Sequence, residues 1–117
     1  MERFGKELLI AETYIDEMLA ADQSGDYDSF VRRFDKVELE EFNQEIFNND
    51  VALMREELGS YKSRVYLGSL QGFQTAIRPR CLRFVWRAVY EKNEALIILG
   101  IHQVDGEWYV NESTVSK

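Results

Sequence analysis

The chain has 117 residues, of which 45% are hydrophobic and 13% aromatic, and it carries a formal net charge of −7. That is enough apolar material for one packed core, read as a single domain over residues 1–117, and it excludes a disordered chain. A lone cysteine excludes an internal disulfide, no apolar run reaches membrane-spanning length, and the N-terminus is amphipathic rather than leader-like, so the expectation is a cytoplasmic protein without a membrane partner.

The charge is unevenly placed. Residues 1–60 hold sixteen acids and six bases, a balance of −10, while residues 61–117 hold five acids and eight bases, a balance of +3. An acidic first half argues against nucleic acid as a partner. The asymmetry suits a solvated surface, contacts between subunits, or an anionic ligand.

Phe4, Leu8, Ala11, Ile15, Met18 and Leu19 recur at helical spacing, which predicts an amphipathic helix from near Glu2 to near Asp22. Gly25 is a natural stop, and Asp26 caps a short second helix whose inner side is Phe30, Val31 and Phe34. A third helical region starts near Val37 with the stripe Leu39, Phe42, Ile46 and Phe47. Asn48-Asn49-Asp50 interrupts it, Asp50 capping a further segment with Val51, Met54 and Leu58, so one bent helix and two short ones are both open.

Residues 61–70 form the first strand candidate, with Gly68 marking a bulge or bend, and Gln71-Gly72 is a turn signal. Residues 73–80 start as a possible strand, but Pro79 cannot donate to a ladder and places their end at an edge or in a loop, where Arg78 and Arg80 could grip an anion. Residues 82–115 read as three antiparallel strands. The turn at Asp105-Gly106 pairs His102 with Tyr109, Ile101 with Val110 and Leu99 with Glu112, and a turn at Lys92-Asn93 pairs Trp86 with Leu99 and Arg83 with His102.

Alternation then separates two faces. Leu82, Phe84, Trp86, Ala88, Tyr90, Ile97, Leu99, Ile101, Trp108 and Val110 require a helical cover. The opposite face holds Arg83, Val85, Arg87, Ile98, His102 and Tyr109, a mixed surface too apolar for open solvent, which predicts an interface, most simply with a second copy. The overall expectation is an α+β fold with N-terminal helices on one face of a bent antiparallel sheet of about four strands.

Three segments resemble the nuclear transport factor 2-like superfamily, with its cystatin-like fold. Ser24-Gly25-Asp26-Tyr27-Asp28-Ser29-Phe30 resembles that family's helix-to-helix corner. Leu58-Gly59-Ser60-Tyr61-Lys62-Ser63-Arg64 with Tyr66-Leu67-Gly68 resembles a segment of small bacterial members. Asp105-Gly106-Glu107-Trp108-Tyr109-Val110 resembles the last hairpin. The resemblance implies a cone between helices and sheet that in some members is a ligand pocket and in others the site of an isomerase or dehydratase. The motifs carry fold rather than chemistry.

Within such a cone the candidate pocket is Tyr14, Tyr66, Trp86, Gln103 and Glu112, an aromatic set that equally suits core packing. Glu112, placed opposite Leu99 on the apolar face, is either a pocket acid or base with a raised pKa or a solvated rim residue. His102, the single histidine, falls on the far face and reads as a structural or interface side chain; Cys81 reads as a small buried one. No metal or cofactor is implied. The function expected is a non-enzymatic, dimerising domain that binds a small molecule or a protein, the alternative being a small acid/base enzyme using Glu112.

Overall fold

The computed structural model describes residues 2–72 and 81–117. Among them four helices, α1 (Gly5–Ser24), α2 (Tyr27–Phe30), α3 (Lys36–Glu41) and α4 (Gln44–Glu57), precede four strands, β1 (Tyr61–Gln71), β2 (Cys81–Tyr90), β3 (Glu94–Val104) and β4 (Glu107–Ser116). The strands form one antiparallel sheet in the order β1-β2-β3-β4. The fold is α+β, with N-terminal helices over one face of a bent sheet. The possible strand and the paired arginines expected in residues 73–80 lie outside the described residues.

Helix α1 buries Ala11, Ile15, Met18, Leu19 and Ala21. It stops where Gly25 takes the left-handed conformation, φ 75°, and donates its N–H to the Ala21 carbonyl. Asp26 caps α2 by accepting from the Ser29 N–H at 3.2 Å. The later helical region breaks elsewhere than expected. Phe42 is extended and Asn43 caps α4, accepting from the Ile46 N–H at 2.9 Å, whereas Asn48-Asn49-Asp50 lies inside the unbroken α4. A cap hydrogen bond at Asn43 offers the backbone donors a partner that the run at 48–50 does not need to supply.

The sheet register departs from the arithmetic in two ways, with opposite consequences. In β2–β3 the pairing is Val89 with Glu94, Trp86 with Ile97 and Arg83 with Gly100, because the turn takes the four residues 90–93 rather than two. The displacement is two residues, the period of side-chain alternation, so both faces keep their members. Leu82, Phe84, Trp86, Ala88, Tyr90, Ile97, Leu99 and Ile101 are all buried with Ala11, Ile15, Met18 and Leu19 in one core.

In β3–β4 the Asp105-Gly106 turn forms with both residues at positive φ, 52° and 82°, and sets His102 against Tyr109 and Ile101 against Val110 as read from the sequence. Then Asn111 bulges out, and Glu112 pairs with Gly100 instead of Leu99. A one-residue slip reverses every later side chain. Glu112 therefore does not face the helices; it lies on the outer face and clamps Arg83 with Nε–Oε1 at 2.7 Å and Nη2–Oε2 at 2.9 Å. Gly100, between the two, makes this possible. A Cβ there would overlap the Asn111 amide oxygen and stand 2.9 Å from the Glu112 Cβ.

The free edge of β4 is held by the segment before α3. The Val110 N–H donates to Arg33 and its carbonyl accepts from Asp35 at 3.0 Å, in a parallel bridge between Phe34 and Val110. This brings the α2–α3 corner against the sheet end that the bulge has reshaped.

Candidate functional site

At one end the layer between helices and sheet is closed by a polar pin. Trp86 is fully buried and donates its indole N–H to Glu12 of α1. The other oxygen of Glu12 takes the Arg64 guanidinium at 2.9 Å, which also reaches Asp16 at 2.7 Å and the Tyr61 hydroxyl at 3.0 Å. Tyr66 packs on Phe84 and Trp86 and donates its hydroxyl to Glu2, which also accepts from Ser69 at 2.7 Å. Burial, with the Glu2 carboxylate beside it, pushes the Tyr66 phenol up to about 12. Tyr14 donates to the Trp108 carbonyl at 3.0 Å, beside a shallow groove along α1 and the last hairpin.

The candidate pocket residues are therefore not brought together. Tyr66 and Trp86 are committed to the pin, Tyr14 fastens α1 to the hairpin, Gln103 pairs with Trp108 on half-buried backbone, and Glu112 is outside. The side chains are satisfied where they stand, which leaves them no unmet polar capacity to offer a ligand.

The other end of the layer is open. A cavity of about 320 Å³ lies between the end of α1, the aromatic corner of α2 and α3, α4 and the last residues of β4. Phe30, Phe34, Phe42 and Phe47 wall it as a contiguous cluster, with centroids 5.0 Å apart for Phe30 and Phe47 and 5.7 Å for Phe34 and Phe42. Leu53, Met54, Leu58 and Val115 complete the apolar lining. The bulge at Asn111 contributes directly, because it turns Ser113 and Val115 to the side that Leu99 and Ile97 occupy.

Three carboxylates line this cavity: Asp22, Glu38 and Asp50. Asp22 is half-buried at the end of α1 and has no hydrogen bond or ion pair among the described residues. Burial, reinforced by the nearby Asp50 charge and only partly offset by Arg55, pushes its carboxyl up to about 7. Arg55 donates instead to the Gln23 carbonyl at 3.0 Å, and Lys117 is paired with Glu57. Tyr90, 3% exposed, sits within electrostatic reach of Asp22, and its hydroxyl has no hydrogen-bond partner among the described residues. Burial raises the Tyr90 phenol above the ordinary tyrosine range and keeps it neutral.

Sequence reasoning missed Asp22 and Asp50, although a signal was present. Ala11, Ile15 and Met18 mark the buried stripe of α1, and Asp22 is its next position. Asp50 stands three residues after Phe47 and four before Met54 on α4. Ending the first helix at Asp22, and taking Asp50 for a cap, hid both.

A second buried polar cluster lies on the outer side of the sheet. His102 is 2% exposed, so it is not part of an exposed interface. The Asn111 amide nitrogen lies 3.1 Å from both His102 Nδ1 and Cys81 Sγ, and His102 Nε2 lies 3.7 Å from Asp35 Oδ2. An amide that donates to Nδ1 leaves the ring proton on Nε2, facing Asp35. The cluster anchors the bulge and the α3 cap. Of the other expected interface residues, Arg83 is clamped to Glu112 and Arg87 is 3.6 Å from Glu94, while Val85, Ile98 and Tyr109 are half-buried. The strongly exposed apolar side chains on the sheet are Val65, Leu67 and Leu70 of β1, with Leu96 and Val104 of β3.

Among the described residues no three His, Cys, Asp or Glu side chains form a metal-ligand group, and no helix is long and apolar enough to cross a membrane. Comparison of the chain with protein-family models, with curated proteins and with solved structures gives no match.

Proposed function

We propose that this chain is a small-molecule-binding domain whose ligand occupies the cavity between α1, the α2–α3 corner, α4 and the end of β4. The observation that carries this reading is a half-open, aromatic-walled cavity of about 320 Å³ with an unpaired carboxylate, Asp22, in its wall. Concave apolar sites with a few convergent polar groups are where small ligands bind. Helices leading into an antiparallel sheet, with a space between them, also support the proposed kinship to the nuclear transport factor 2-like superfamily.

Protein-observed NMR with a panel of small aromatic amphiphiles tests the reading. Saturable shifts centred on Phe30, Phe47, Met54, Ser113 and Thr114 are expected. Saturable shifts confined to the Tyr14–Trp108 groove, or none at all, would contradict it. The second reading, self-association through the outer sheet face, is supported by the exposure of Val65, Leu67, Leu70 and Leu96. Sedimentation in the micromolar range checks it: a dimer that Leu67→Glu dissociates is expected, and a monomer at all concentrations rejects it.

A further inference from the structure

Resting on the cavity reading, we infer that the ligand is a small organic cation: an amine or quaternary ammonium group carried on an apolar or aromatic body, with Asp22 and Asp50 as its counter-charges. The wall combines two features that this class of molecule satisfies together. Phe30, Phe34, Phe42 and Phe47 give an aromatic surface, which attracts both an apolar body and a cation through the ring quadrupole. Asp22 and Asp50 add negative charge to the same wall.

The wall's own cation, Lys117, is not free to answer that charge. Lys117 is engaged by Glu57, and Arg55, the nearest guanidinium to act on Asp22, donates to a backbone carbonyl. Buried polar groups are ordinarily paired, so a carboxylate in this wall with no hydrogen bond or ion pair among the described residues suits a ligand that donates to it. A neutral ligand would leave Asp22 and Asp50 repelling each other; an anion would add to the repulsion; an ammonium group removes it. The surrounding half of the chain, at −10, favours approach of a cation as well.

Three probes of similar shape and different charge separate the possibilities: phenylbutylamine, phenylbutanol and phenylbutyrate, titrated calorimetrically into the intact chain at pH 8. The amine is expected to bind at least about tenfold more tightly than the alcohol, with the carboxylate weakest. Asp22→Asn, an isosteric change, is expected to erase the amine's advantage while leaving the alcohol's affinity unchanged, and Asp50→Asn to reduce it. An alcohol that binds as tightly as the amine, or an advantage that survives both substitutions, overturns the cation assignment and leaves the cavity reading standing. If none of the three probes binds, the cavity reading falls with it.

Discussion

The two ends of the helix–sheet layer are built from similar residues and treat their polar groups in opposite ways. At the Trp86 end, Glu12 joins α1 to both β1 and β2, answering the indole and the Arg64 guanidinium together. At the Phe47 end, Asp22 of the same helix faces an open space with Asp50 for company and no ion pair among the described residues, Arg55 offsetting its charge only in part. Ten residues separate the two acids on one helix. The difference is the supply of partners: β1 and β2 carry Arg64 and Trp86 beneath the first, whereas aromatic rings from α2, α4 and the segments on either side of α3 surround the second. The closed end leaves Arg64 Nε without a hydrogen-bond partner among the described residues, but its remaining bonds tie helix to sheet and stabilise the fold. An open, unsatisfied end costs stability and is retained where binding recovers it.

That contrast makes the two ends respond differently to substitution. The largest effect is expected at the pin: Trp86→Ala removes a fully buried indole and should cost about 3–5 kcal/mol in urea unfolding, and a loss below 1 kcal/mol would mean the end is not packed as described. Glu12→Ala should follow at about 2–3 kcal/mol, since it strands the indole N–H and takes one of two carboxylates from the half-buried Arg64. A more sharply local change, Gly100→Ala, should cost about 1–3 kcal/mol by forcing Asn111 and Glu112 away from the bulge.

At the open end the sign reverses. The folded-state pKa of Asp22 is raised from 3.8 to about 7, so the folded chain binds the proton more tightly than the unfolded chain does. The resulting penalty is absent below the unfolded value, grows as pH rises through the interval, and is complete above pH 7. Asp22→Asn should therefore stabilise the protein by about 1–3 kcal/mol at pH 8, and by progressively less toward pH 4. Urea denaturation of the two proteins across that range measures it, and an equal effect at every pH would contradict the assignment. The smallest effect is expected on the outer face, where Leu67→Glu should change monomer stability by no more than about 0.5 kcal/mol while abolishing any self-association.

The same contrast explains what could be read from the sequence. The architecture, the Asp105-Gly106 turn and the two sheet faces were legible because they depend on periodicity, and periodicity survived a two-residue error in the β2–β3 pairing. The site was not legible, for two reasons. A bulge of one residue moved Glu112 to the outer face and turned Val115 inward, and nothing about Asn111 in isolation announces a bulge. His102, Asn111, Cys81 and Asp35 come from four separate segments, and only the folded register brings them together. Asp22 and Asp50 were within reach of helical spacing alone, and were lost by ending the first helix at Asp22 instead of Ser24 and by taking Asp50 for a cap when Asn43, two turns earlier, is the cap.

The most direct test of the account is the titration of the Asp22 side-chain carboxyl carbon by NMR, with and without saturating phenylbutylamine. A midpoint near pH 7 in the free protein, falling when the amine binds, is the result expected of an unpaired carboxylate in a ligand cavity. A midpoint near 4 in the free protein, unmoved by the amine, would contradict it.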